Sequence, residues 1–211
     1  MMYGRYIMGL HISMNTHHVR KRHDEWRRIM NINEMRGDIA QRGKKGLHFI
    51  LSSIIIWSGV FIIWTLPDLD VLTRNFLTFC VTAPLLPIAY LISRLIRAEF
   101  SSVGNPLNNL GLLFSLNQYL YLLIAMWVYP TVPEKMVMVI AMIFGAHLLP
   151  YGWLFQSRAY TVMAVLISLG ALIIGNLASP AVLAAVMAGV EIIFSAWLAM
   201  ELKVDMQHQK A

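Results

Sequence analysis

The sequence predicts an all-α integral membrane protein: six transmembrane helices arranged in hairpins, both termini cytoplasmic, preceded by a short amphipathic cytoplasmic leader. Three observations predict it. Of 211 residues, 58% are hydrophobic and 13% charged, against roughly half and a quarter in an average soluble domain. The apolar residues come in long blocks separated by short polar links. Each block approaches the roughly 20 residues of helix that a bilayer core requires. The first block opens at Leu47 behind a basic stretch and several like it follow, which is not the pattern of a cleaved signal sequence.

Taken in order, the leader occupies 1–45, the transmembrane domain 46–203 and a tail 204–211. In the leader, Val19, His23, Trp26 and Met30 recur at helical spacing. After a break, Ile32, Met35 and Ile39 form a second stripe, with Asn31 and Glu34 spaced as a capping box. Neither stripe has the apolar area to fold alone, so both are expected to lie on the inner leaflet with Arg and Lys against anionic lipid headgroups. The basic run is short and belongs to an anchor, and no nucleic-acid partner is expected.

Six spans follow, at about 47–66, 75–96, 107–128, 134–154, 159–177 and 180–202. The links carry the prolines and acids that end helices, as in PDLD after Leu66 and YPTVPEK around Pro130. Of the 17 Lys and Arg residues, all but Arg74 and Lys135 fall on one side of this threading. Basic residues near span ends are retained in the cytoplasm, which places both termini inside. The outer loops are too short to fold, so function belongs to the bundle or the leader.

An internal echo accompanies the spans. LLPIAYLISR at 85–94 resembles LLPYGWLFQSR at 148–158, and the same offset lays LHFILSS at 47–53 over LGLLFSL at 110–116. Spans 1 and 2 would then repeat as spans 3 and 4. Pro87 and Pro150 occupy equivalent places and cannot donate to the carbonyls of Ala83 and Ala146; Pro84 likewise frees that of Cys80. In lipid such carbonyls need another donor, and the Thr82 hydroxyl is close by. A kink that aids packing is the plainer reading and a ligand contact the sharper one.

The candidate site comes from depth. Asn117 lies midway between Pro106 and Tyr129, His147 between Lys135 and Arg158, and Glu191 between Pro180 and Lys203. All three therefore sit near the bilayer midplane. A carboxyl there costs several kcal/mol unless paired, protonated or wetted, which makes Glu191 the most informative residue. Ala184, Ala188 and Ser195 share its helical face and are small, so that face should turn toward other helices. A neutral His147 can bond a backbone carbonyl instead of a ligand. Asn117 and Gln118 point about 100° apart, so at most one faces a given neighbour. For each amide, interhelical bonding is the bland alternative to a site.

The remaining features read as structure. Arg94, Arg158 and Glu201 sit near the cytoplasmic surface as anchors. Ala181, Ala185 and Gly189, like Ser168, Ala171 and Gly175, are spaced to let helices approach closely. Cys80, the single cysteine, permits no intrachain disulfide and reads as a small core residue. His17, His18 and His23 lack acids or cysteines at ligand spacing, so no metal and no cofactor is expected. Signatures of zinc protease, hydrolase and nucleotide enzymes are absent. Glu191 with His147 as acid and base is the remaining route to an enzyme, and nothing marks a nucleophile.

The runs EMRGDIAQRGKKGLHFI and HLLPYGWLFQSRAY together resemble a family of small multipass bacterial membrane proteins of unknown function, over about 31–203. The resemblance implies a bacterial plasma membrane and carries over no substrate and no site residue. The leading expectation is a small-solute or ion transporter or channel subunit with Glu191, His147 and Asn117 around one site. The alternative is a non-enzymatic membrane binding or accessory protein whose basic leader docks a partner or lipid.

Overall fold

The computed structural model describes residues 31–101 and 104–208. The leader stripe at Val19–Met30 and the histidines at 17, 18 and 23 lie outside the described residues. The chain divides into two units, Met1–Met35 and Arg36–Ala211. In the first, the Asn31 carbonyl accepts from the Glu34 and Met35 amides, opening α1 (Ile32–Arg42).

All regular structure among the described residues is helical. Span 1 is α2 (Leu47–Thr65). Span 2 is two pieces, α3 (Val71–Thr82) and α4 (Leu85–Leu95). Span 3 is α5 (Leu107–Thr131), span 4 α6 (Met136–Leu154), span 5 α7 (Arg158–Leu177) and span 6 α8 (Pro180–His208). Six helices or helix pairs are thus long and apolar enough to cross a membrane. The last runs on through 204–208, where a separate tail was expected.

Adjacent spans pair as hairpins, α2 with α3 and α4, α5 with α6, α7 with α8. The most extensive packing, however, joins α6 to α7 and α2 to α8, so spans 1 and 6 meet at the centre. The α6–α7 seam is built on glycine. A Cβ on Gly145 would stand 2.7 Å from the Ser168 backbone nitrogen, and one on Gly152 2.4 Å from Thr161 Oγ1. The spacing Ser168, Ala171, Gly175 does face inward: Ala171 is buried and Gly175 abuts Met138. The matching stripe on α8 does not, since Ala185 and Gly189 are exposed.

The proline echo resolves unequally. α6 continues through Pro150, but the chain breaks at Ala83–Pro84, and Pro87 falls in the first turn of α4, where a missing N–H breaks no bond. Pro84 has no counterpart proline, because His147 stands in its place. Thr82 does not serve the freed carbonyls: its hydroxyl donates to Phe79 (2.9 Å). Cys80 is on an exposed face of α3 rather than in the core.

The juxtamembrane GKKG joins α1 to α2 by a left-handed turn, with positive φ at Lys44, Lys45 and Gly46. Glycine is needed at 46, where a Cβ would lie 2.9 Å from Tyr160 Oη. Lys45 is buried, and its ammonium reaches Asp205 Oδ2 (2.8 Å) and Glu201 Oε2 (3.2 Å) on α8. Tyr160 Oη donates to the Lys45 carbonyl (2.9 Å), and Glu201 Oε1 accepts from the Ala159 amide (2.9 Å). Glu201 is therefore less a surface anchor than the hub tying α2, α7 and α8 together.

Candidate functional site

The α2–α8 pairing places Glu191. Lys45 meets Glu201, and farther along the two antiparallel helices Ser53 meets Glu191. About 1.5 Å per residue puts Glu191 roughly 15 Å along α8 from the Lys45 hub. Its side chain is fully buried, with Ala184 buried and Ala188 and Ser195 half-buried on the same face. The small-residue face turns inward as expected.

Hydrogen-bond counting constrains the carboxyl. Ser53 Oγ lies 2.6 Å from Glu191 Oε2 and 2.7 Å from the Ile50 carbonyl oxygen. A hydroxyl carries one proton, and a carbonyl only accepts. Both contacts are full hydrogen bonds only when Ser53 donates to Ile50 and a protonated Glu191 donates to Ser53. Oε1 has no partner among the described residues, and an unpaired neutral oxygen is far cheaper to bury than an unpaired charge. These contacts favour a carboxylic acid over a carboxylate.

Ser53 also faces the other way, into a cavity of ≈ 450 Å³ between α2, α3, α4, α5, α6 and α7. The polar groups around it are Ser53, Thr82, Ser115, Gln118, His147 and Tyr151, with Tyr160 at one end. Phe49, Trp57, Phe79, Phe144 and Phe155 supply aromatic wall, and the break at Ala83 lines one side. His147 Nδ1 contacts the Phe144 carbonyl (2.5 Å). A carbonyl cannot donate, so Nδ1 is the donor in this contact. The His147 ring lies edge-on to Phe144 and Tyr151. Tyr151 Oη donates to the Gly111 carbonyl (3.1 Å) and lies 2.7 Å from Ser115 Oγ.

The three residues expected to share a site are therefore distributed. His147 lines the cavity, and Glu191 adjoins it through Ser53. Asn117 does neither: it is exposed on the far face of α5, and its amide donates to Tyr121 Oη one turn on (2.8 Å). Gln118, about 100° around the helix, is the amide that lines the cavity. Sequence reasoning missed Ser53, Tyr151 and Lys45. Ser53 was findable as part of a serine pair inside an apolar run, whereas Lys45 looked like ordinary juxtamembrane charge. His48 was missed as well; it is buried against Phe49 and Phe100, and neither ring nitrogen has a partner among the described residues.

Six apolar spans, five of them lining a mostly uncharged cavity, with one acid enclosed beside it, define a helical multipass membrane protein. The chain belongs to a family of unknown function, DUF7010, whose model matches residues 32–201. No curated protein and no solved structure matches it.

Proposed function

We propose that the protein is a small-solute transporter or channel subunit of the bacterial plasma membrane, with both termini cytoplasmic, and that Glu191 is its proton-carrying group. The observation that supports this most is Ser53, which touches both the enclosed acid and the cavity. A shift of solute or water at Ser53 changes the only partner Glu191 has among the described residues, which couples occupancy to protonation. The cavity has the size of a small-ligand pocket, apolar with a few placed polar groups. Among the described residues no Asp, Glu, Lys or Arg lines it, so a bare ion would lose its hydration without compensation. An uncharged amphipathic solute fits better than an ion. The titratable groups nearby are Tyr160, His147 and Tyr151; Lys45 is neutralised by Glu201 and Asp205.

The accessory reading is less supported, because the described basic residues of the leader engage the bundle. Arg36 stacks on Trp153 (4.4 Å) and donates to its carbonyl (2.8 Å), and Arg42 pairs with Glu99 (2.7 Å). Arg94, Arg97, Arg158 and Lys203 are exposed at span ends and are the groups we assign to anionic headgroups. In vesicles loaded with a pH-sensitive dye, an imposed pH gradient should collapse several-fold faster with the wild-type protein than with Glu191→Gln. Equal rates would end the proton-coupled reading.

A further inference from the structure

The exposed amide on α5 needs a partner that the described residues do not provide. Asn117 sits near the middle of span 3, and among the described residues its one hydrogen bond is to Tyr121 Oη. A second amide proton, the amide oxygen and the Tyr121 hydroxyl proton are left over. Water satisfies such groups at a protein surface, but hydrocarbon cannot. The flanking side chains Leu113, Leu120 and Ile124 are 58%, 63% and 51% exposed, so no helix among the described residues covers this face. The opposite face of the same helix lines the cavity through Ser115, Gln118 and Leu122.

We propose that this face of α5 is where two copies of the chain pair, with Asn117 bonded to Asn117 of the second copy. Two copies inserted with the same orientation are related by a two-fold axis along the membrane normal, which brings identical residues together at identical depth. Most polar side chains would then meet a copy of themselves that they cannot satisfy. An amide is the exception, since each copy donates N–H to the other's oxygen, and the Tyr121 hydroxyls extend the same pattern. Nothing charged stands between Leu107 and Thr131 to repel. Amide pairs of this kind drive helix association in membranes. The exposed small residues Ala185 and Gly189 on α8 are the rival contact; they permit close approach but leave the Asn117 amide unsatisfied.

Subunit counting by single-molecule photobleaching, in lipid vesicles at low protein-to-lipid ratio, tests the pairing. The wild type should be dimeric, and Asn117→Leu should raise the dissociation constant at least about tenfold. In a Cys80→Ser background, Leu120→Cys should crosslink to itself and Ala185→Cys should not, which keeps the test valid if the leucine variant fails to fold. A monomeric wild type, or crosslinking at Ala185 with none at Leu120, overturns the proposal. The outcome is independent of transport, because proton flux through Glu191 can stand or fall without it.

Discussion

Glu191 and Asn117 each lie well inside an apolar helix, and the bundle treats them in opposite ways. Glu191 is enclosed where α8 crosses α2, a span half of whose membrane window is buried; Asn117 faces outward on α5, where the figure is 12%. The difference follows from which spans occupy the centre. Spans 1 and 6 pack along their lengths, pinned at one end by Lys45 on Glu201, while span 3 rests chiefly on span 4. A polar group on a central helix is satisfied within the chain. A polar group on a peripheral helix waits for something outside it. Depth alone does not make a site.

The largest test of that contrast is a matched pair of truncations. Phe194 is fully buried one turn beyond Glu191, edge-on to the Tyr160 ring (4.9 Å), whereas Leu120 is exposed. Phe194→Ala should cost on the order of 2–4 kcal/mol, mostly lost packing. Leu120→Ala should stay within about 0.5 kcal/mol. Denaturant unfolding of the monomer in detergent measures both, and similar losses would erase the distinction between centre and periphery.

A smaller effect sharpens it at the polar groups themselves. A double-mutant cycle of Ser53→Ala with Glu191→Leu should give a coupling energy of about 1 kcal/mol. The equivalent cycle of Asn117→Leu with Tyr121→Phe should fall below about 0.5 kcal/mol in the monomer, because that pair is exposed. Comparable couplings would mean that Asn117 is as integral to the monomer as Glu191.

The sequence made the spans legible because hydrocarbon thickness is a one-dimensional constraint, and runs of apolar residues report it directly. Position along a span is one-dimensional too, so the sequence is enough to set Asn117, His147 and Glu191 well inside their spans. Azimuth is not. Asn117 and Gln118 are adjacent and chemically alike, and only the packing of α5 on α6 decides that Gln118 meets the cavity. The same ambiguity divides the two small-residue stripes, of which 168–175 packs inward while Ala185 and Gly189 face out. Pro84 shows a third limit. One proline is carried inside a continuous helix, as Pro150 is, but where two fall within a turn, at Pro84 and Pro87, the helix is interrupted.

The smallest expected effect belongs to an acid outside the membrane-spanning helices, which shows by contrast what enclosure does to Glu191. Asp70 caps α3: Oδ1 accepts from the Leu72 and Thr73 amides (3.0 and 3.1 Å), and Oδ2 accepts from the Thr73 hydroxyl (2.5 Å). The Thr73 bonds, hydroxyl first and then amide, hold the Asp70 carboxyl below its ordinary value. A carboxyl lowered in the folded state stabilises it above the unfolded value and loses that contribution as pH falls through the folded one. Amide exchange at Leu72 and Thr73, corrected for its intrinsic pH dependence, should therefore be protected at neutral pH and lose protection only in strongly acidic solution. Asp70→Asn retains an acceptor for the amides but has no charge to titrate, so its protection should be flat over the same range. A pH-dependent Asn variant would place the titrating group elsewhere. Asp70 keeps its charge because three donors and solvent surround it; Glu191 is enclosed with a single hydroxyl that already serves Ile50.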